Sequence, residues 1–284
     1  IFISDMANSN KEYYLTEVDR KTSSIYCMHD LMGETDIPFH SHNKGQFLYT
    51  EGGVVHVITD NQTFFLPARH YMWIPAGVLH SIHPGTANVI MRNLYFPIEN
   101  SEDDFYSKIG IYPINELLLQ MTIYTNRWSG DLKPNDKVAW HFLLAIKSIL
   151  PEVSDYNLPL SLPYAKDNRL QAVIKYMEKN LHENIVLSDF GKTMGLSPRT
   201  LSRLFQRDVG MSFVQYLTIQ RLMRAIVLLL EKQLSVKEVA TLVGYNSIPT
   251  FSNTFFKILG IRPSEYQKQA SIFSPETFLA ESDI

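Results

Sequence analysis

Residues 24–98 alternate apolar and polar positions and are rich in Val, Ile, Tyr, Phe and Trp. A period of two places successive side chains on opposite faces of an extended chain, so the segment predicts short β-strands. Turn signals divide it at Asp60-Asn61, Pro67, Pro75-Ala76-Gly77 and Pro84-Gly85, the spacing of a β-sandwich or small barrel. The period then changes. Residues 102–125 and 135–150 follow helical spacing, and in the second stretch Val138, Phe142, Ile146 and Ile149 fall on one stripe. Pro151, Pro159 and Pro163 punctuate residues 151–166, read as an interdomain linker. From Asn168 the chain reads as helix after helix, beginning with the apolar face of Leu170, Val173, Ile174 and Met177. The pattern predicts an α+β protein of two domains: a β-barrel with helices over 1–150, the linker, an all-α domain over 167–270, and a loosely held tail over 271–284.

The helical half contains an internal repeat, 184–218 against 233–268. Gly195 follows Gly191 by four residues, as Gly244 follows Ala240. Phe205, Gly210 and Tyr216 have the spacings of Phe255, Gly260 and Tyr266. Each copy has the parts of a helix-turn-helix. In the first, Ser188 is expected to cap a short helix ending at Met194, Gly191 to admit a close crossing, and Gly195 to supply positive φ. Ser197-Pro198 then reads as an N-cap and N1 proline. The helix that follows buries Leu201, Leu204 and Phe205. It turns Arg199, Thr200, Ser202, Arg203, Gln206 and Arg207 outward. In the second copy Ser235-x-x-Glu238 is a capping box. The next helix buries Phe251, Phe255 and Ile258 and exposes Thr250, Ser252, Asn253 and Lys257. An unbroken helical stretch, Ser212 to Leu230, joins the copies. It spans about 28 Å at 1.5 Å per residue, near the ~34 Å between successive major grooves on one face of DNA.

Charge sharpens this picture. The chain of 284 residues has a net charge of -3, but residues 1–167 sum to -7, residues 168–270 to +7 and the tail to -3. A basic helical half beside an acidic β half points to a polyanion partner for the helical half, and with two helix-turn-helix units at fixed spacing that partner reads as double-stranded DNA. Arg, Ser, Thr and Gln faces hold the donors that base edges and phosphates require. No apolar run approaches the ~20 residues of a membrane span. One cysteine, Cys27, ten Met and no leader-like stretch fit a reducing cytoplasm. Cys27 reads as a packed apolar residue.

The helical half resembles the DNA-binding domain of the AraC/XylS family of transcription regulators. The resemblance rests on Gly195-Leu196-Ser197, Leu201-Ser202-Arg203-Leu204-Phe205, Arg221-Leu222-x-x-Ala225, Val239-Ala240, Gly244-Tyr245 and Gly260-Ile261-x-Pro263-Ser264-Glu265-Tyr266. It implies base contacts at Arg199, Ser202 and Arg203 in the first unit. In the second it implies contacts at Ile248, Pro249, Thr250, Ser252 and Asn253. The family commonly has Arg at the position of Asn253 and Ser at that of Pro249, so the second unit is expected to read bases less firmly than the first. The resemblance also implies a homodimer through an antiparallel helix pair formed by 135–150, a small-molecule effector in the N-terminal domain, and activation through RNA polymerase.

The β half carries Pro38-Phe39-His40-Ser41-His42 and Pro75-Ala76-Gly77-x-x-His80. His40 and His42 share a strand face, and His80 from a neighbouring strand could complete a three-histidine metal site. The arrangement resembles a cupin barrel, with three departures: Gln46 stands where the family has Glu, Arg69 where it has Gly, and Pro84 where it has Asn. The candidate effector site is His40, His42, Gln46, Tyr49, Trp73 and His80. Its barrel is expected to be lined by Phe47, Tyr49, Val55, Phe64, Trp73 and Tyr95. No cofactor is required by this reading, though His40, His42 and His80 could hold a divalent metal. The reading is an effector-controlled, sequence-specific DNA-binding regulator and not an enzyme. Two alternatives stand beside it: a metal-dependent cupin oxygenase or isomerase with an appended helical domain, and a constitutive DNA-binding protein whose barrel only dimerises.

Overall fold

A computed structural model describes residues 17–32, 35–85, 89–99, 103–231 and 234–270; the predicted tail lies outside them. The alternating segment forms β1 (Ile25–Leu31), β2 (Ile37–His40), β3 (Gly45–Glu51), β4 (Val54–Thr59), β5 (Gln62–Pro67), β6 (His70–Ile74), β7 (His80–Pro84) and β8 (Ile90–Phe96). Later come β9 (Gly110–Pro113), β10 (Gly130–Leu132) and β11 (Ser161–Pro163). Two antiparallel sheets result, in the orders β10-β1-β8-β3-β6-β9 and β11-β5-β4-β7-β2.

The central strands of the six-stranded sheet, β3, β6 and β8, are buried on both faces, so polar residues such as Gln46, Arg92 and Asn93 do not mark a solvent side in them. Leu48, Met72, Ile74 and Met91 face the other sheet and meet Val55, Val57, Leu66 and Ile82. Phe47, Tyr49, Tyr71, Trp73, Leu94 and Phe96 face outward, beneath two helices, α1 (Glu116–Tyr124) and α2 (Lys137–Val153). Cys27 belongs to the same layer, where burial raises its thiol pKa to about 12.

Three expectations need correcting here. The stretch 102–125 is not one helix: β9 interrupts it, adding an edge strand to β6. The buried stripe of α2 is Ala139, Leu143, Ile146 and Leu150, one step round from the predicted stripe; Val138 is 73% exposed. The proline-rich 151–166 is not a free linker. Leu158 and Leu160 are buried, and β11 pairs with β5.

The helical half comprises α3 (Asn168–Lys179), α4 (Leu187–Met194), α5 (Pro198–Val209), α6 (Phe213–Glu231), α7 (Val236–Leu242), α8 (Ile248–Leu259) and α9 (Pro263–Ala270). The repeat is visible bond for bond. Leu196 N–H donates to Gly191 O as Tyr245 N–H does to Ala240 O, both at 2.9 Å. Gly210 N–H donates to Gln206 O at 3.0 Å, as Gly260 N–H does to Phe256 O at 2.8 Å. Ser197 caps α5 with Pro198 at N1, and Ser235 and Glu238 close the capping box of α7. Ser188 does not cap α4; Val186 precedes that helix without a side-chain cap. The helix α6 is long and apolar enough to cross a bilayer by length and composition, contrary to the sequence reading. Most of it is buried within the protein.

The two turn glycines differ in their surroundings. Gly195 (φ 65°) has open space where a Cβ would stand, whereas at Gly244 (φ 80°) a Cβ would lie 2.3 Å from Leu181 O and 2.5 Å from an Arg221 nitrogen. Gly195→Ala is expected to cost ~1–2 kcal/mol, the penalty for an L-residue in left-handed backbone. Gly244→Ala should cost clearly more, because backbone must move as well. Urea unfolding of both variants checks the order; equal losses would contradict it.

Candidate functional site: a DNA-reading face and a buried histidine cluster

Helix α5 presents its polar face to solvent: Arg199, Thr200, Ser202, Arg203, Gln206 and Arg207 are all exposed, while Leu201, Leu204, Phe205 and Val209 are buried. Two of the six are already engaged within the chain. Thr200 Oγ1 lies 2.8 Å from Ser197 Oγ, and Gln206 Nε2 donates to Gly210 O at 3.0 Å. Arg199, Arg203 and Arg207 line a cleft of about 540 Å³ together with Arg169. Sequence reading missed Arg169, because it lies on α3, outside the repeat. Asp167, the N-cap of α3, holds that guanidinium through Nε at 2.9 Å and Nη2 at 2.6 Å.

Helix α8 exposes Thr250, Asn253 and Lys257; Ser252 is half-buried. Phe251, Phe255 and Leu259 form its buried side, with Leu259 rather than Ile258 in the deepest position. Arg262, also missed, donates from Nη1 to Asn253 Oδ1 at 2.8 Å and to Ser252 Oγ at 3.3 Å. A cation therefore reaches this face from outside the recognition helix. Lys257 borders a crevice of about 380 Å³ between the barrel hairpin at Arg69 and the second unit. Arg69 has φ 63°, so it adopts the left-handed turn conformation in the place where the cupin pattern carries glycine. In this hairpin Tyr266 Oη donates to Ala68 O at 3.4 Å.

In the barrel, β2 and β7 pair His40 directly opposite His80, with ring centroids 4.3 Å apart. His42 lies 5.2 Å from His80, and the three side chains offer ligand atoms within 4.8 Å of one another. Each Nδ1 meets a backbone carbonyl: His40 at Pro38 O (2.8 Å), His42 at Lys44 O (2.6 Å) and His80 at Val78 O (2.9 Å). As Nδ1–H donors, all three rings keep Nε2 as a lone pair for the cluster. Burial lowers all three pKa values, that of His80 to about 3 with the neighbouring His40 and His42 adding to the effect. His80 Nε2 is buried without a hydrogen-bond partner. His42 Nε2 lies 3.1 Å from the side-chain amide of Gln46. Gln46 Nε2 donates to Asn93 Oδ1 (2.8 Å) and Tyr95 Oη (3.2 Å), which adds Asn93 to the cluster.

Tyr49 and Trp73 do not join it. They lie on the outer face of the six-stranded sheet with Phe47, under α1 and α2; Trp73 Nε1 donates to Tyr106 O at 3.1 Å. The physical reason is parity. Gln46 faces inward, so residues 47 and 49 on the same strand face outward, and a sheet covered on both sides hides that parity in the sequence.

Two family models match the chain, one in each half. Residues 27–105 match the AraC-like ligand binding domain, and residues 190–269 match a helix-turn-helix domain. The chain belongs to the AraC family. This AraC-family protein is 25% identical to the HTH-type transcriptional regulator NimR of Escherichia coli K12 over 274 residues, covering 96% of this chain and 97% of that protein. It is 26% identical to the HTH-type transcriptional activator RhaR of Mannheimia succiniciproducens over 251 residues, covering 82% and 87%. A solved DNA-binding transcriptional dual regulator from Escherichia coli K-12 shares 27% identity over 38% of this chain and 96% of its own, with a TM-score of 0.35. The relatives are transcription regulators, which decides against the cupin-enzyme alternative. This AraC-family protein is a DNA-binding transcription regulator with an N-terminal ligand-binding domain.

Two further histidines give the domain an acid limit. Burial holds His29 and His70 neutral and lowers each pKa to about 4, with Arg92 adding to the effect at His29 and Arg69 at His70. The unfolded chain protonates them near the ordinary imidazole value of ~6.5. Stability is therefore complete above pH 6.5 and falls as pH drops toward 4. Urea midpoints at pH 7.5 and 5 should show the fall, and His70→Gln should shrink it. A midpoint that does not move over this interval would contradict the assignment.

Proposed function

We propose that this regulator reads base sequence chiefly through α5, grips phosphate beside it, and is controlled by a ligand at the His40, His42 and His80 cluster. The exposed donor face of α5 supports this reading most directly: Arg199, Ser202 and Arg203 reach base edges, while Arg207 and Arg169 close the cleft around a backbone phosphate. Thr250, Ser252, Asn253 and Lys257 form the smaller second contact. The helix α6 separates the two recognition helices along the chain, and at about 28 Å its length is near the span required.

The two roles predict different signatures. Arg203→Ala should remove discrimination at one base position, at roughly 1–3 kcal/mol for a bidentate contact. Arg169→Ala should weaken specific and random duplexes alike and reduce the slope of log affinity against log salt by about 1. Titrations of labelled duplexes at several salt concentrations check both. Equal weakening of all duplexes by Arg203→Ala would contradict base reading.

The barrel cluster fits a divalent transition-metal ion: three uncharged Nε2 donors with fixed tautomers, and Gln46 Oε1 beside them. His40, His42 and His80 would hold it. A bound ion supplies positive charge to a cluster that has none of its own. Calorimetric titration of chelator-treated protein with Zn²⁺ is expected to show one ion per chain, and His80→Ala should weaken it at least tenfold. His80→Ala should also alter the response of DNA binding to the ion more than DNA binding without it. A wild-type titration with no binding heat would overturn the metal reading of the cluster.

Control requires the ligand to distinguish two arrangements of the DNA-binding half. The shared packing of the second unit and the barrel supports such coupling, because a change in the barrel is felt by α8 and α9 directly. Homodimerisation through 135–150 fits the exposed Val138 on α2 and the exposed Leu117 and Tyr124 on α1. Contact with RNA polymerase and a cytoplasmic location complete the proposal.

A further inference from the structure

We infer that Arg262 sets the base preference of the second recognition helix by making Asn253 part of a donor-rich edge, so that this unit favours guanine over adenine at the base it meets. The inference rests on the DNA-reading assignment of α8 made above.

The geometry is specific. Gly260 (φ 72°) reverses the chain after α8, and Arg262 returns alongside that helix. Its guanidinium lies 4.6 Å over the Phe256 ring, whose side chain is otherwise left exposed and serves as a platform for the cation. From there Nη1 donates to Asn253 Oδ1 at 2.8 Å and to Ser252 Oγ at 3.3 Å. The N–H of Arg262 is engaged by Glu265 Oε2 at 3.3 Å, which fixes the backbone from which the side chain extends.

A guanidinium has only donors. The Asn253 atom facing it must therefore be the carbonyl oxygen, and the amide NH₂ faces away. An unengaged asparagine reads adenine with both ends of its amide: Nδ2–H donates to N7, and Oδ1 accepts from the N6 amino group. Here one lone pair of Oδ1 is taken by a cation, and the remaining guanidinium N–H groups stand beside it. Ser252 Oγ also accepts from Arg262, so its hydroxyl proton is directed elsewhere. The edge that results consists of the exposed Asn253 amide and, beside it, the half-buried guanidinium and hydroxyl donors. Guanine offers two acceptors in the major groove, N7 and O6; adenine sets an amino group where O6 would be. Donors facing that amino group disfavour adenine, and the same donors facing O6 favour guanine.

The test is selection of duplex sites from a random pool by the full-length protein, followed by competition between guanine and adenine at each selected position. Arg203→Ala identifies the positions read by the first unit. At one position outside that set, wild type is expected to prefer guanine about tenfold. Arg262→Ala frees Oδ1, so the preference at that position should move to adenine while the first-unit positions stay unchanged. Arg262→Lys, which keeps the charge but not the planar fork, should lower the preference without reversing it. Asn253→Ala should lower it too. If Arg262→Ala lost first-unit selection as well, the variant would be misfolded and Arg262→Lys would decide the matter. Wild type selecting adenine at that position, or both Arg262 variants keeping its full guanine preference, overturns the inference while leaving α5 as a reader intact. Wild type selecting no sequence at any position overturns the DNA-reading assignment itself and this inference with it.

Discussion

The arrangement of the DNA-binding half depends on one guanidinium. Arg221, midway along α6, donates from Nε to Leu181 O at 3.1 Å and from Nη2 to Glu183 O at 2.7 Å, in the segment that joins α3 to α4. The same group lies 5.6 Å from the ring centre of Tyr245, at the turn of the second unit. Gly244 packs so tightly here that any side chain would collide with Leu181 O and Arg221 together. One side chain thus fastens the first unit, the joining helix and the second turn. A helix of about 28 Å sets only a distance. Reading consecutive grooves also needs a fixed rotation about that helix, and the planar, multidentate guanidinium supplies it at little loss of flexibility per bond.

The two units are alike in backbone and unlike in surroundings. The first packs around Leu170, Val173, Phe205 and Tyr216, with Leu162 of β11 at its edge. The core of the second, including Phe251, Phe255 and Tyr266, is continuous with apolar residues of the barrel. The same motif is therefore packed on the joining segment and β11 in one copy and against the sensor's sheets in the other. Coupling between sites needs a shared element with two arrangements, and the second unit is the element placed to be that.

Much of this was legible in the sequence because it was local. The turn glycines, the Ser197-Pro198 cap, the Ser235–Glu238 capping box and the outward arginines of α5 follow from positions a few residues apart. The histidine cluster was legible from its two motifs, although β2 ends at His40 and His42 joins the cluster from the loop before β3 rather than from a shared strand face. What escaped was long-range. Tyr49 and Trp73 were assigned to the wrong face because both sides of their strand are buried, leaving no polar alternation to mark inside from outside. Arg169 and Arg262 escaped because they arrive from neighbouring elements. The apparent linker escaped because the pairing that orders it is with residues some hundred positions earlier, as in the Phe64 and Ser161 register.

That captured segment leaves the DNA-binding half on a short leash. Between the end of β11 at Pro163 and the start of α3 at Asn168 only residues 164–167 remain, a reach of about 17 Å even when stretched out. They are anchored at both ends: Tyr164 N–H donates to Asn61 O at 3.0 Å, and the N–H groups of Lys166 and Asp167 both donate to Asp208 Oδ2. The helical half is thus hinged to its barrel rather than tethered to it. A large swing would first have to peel β11 from its sheet, so rearrangement by rotation in place demands far less of the fold than separation does.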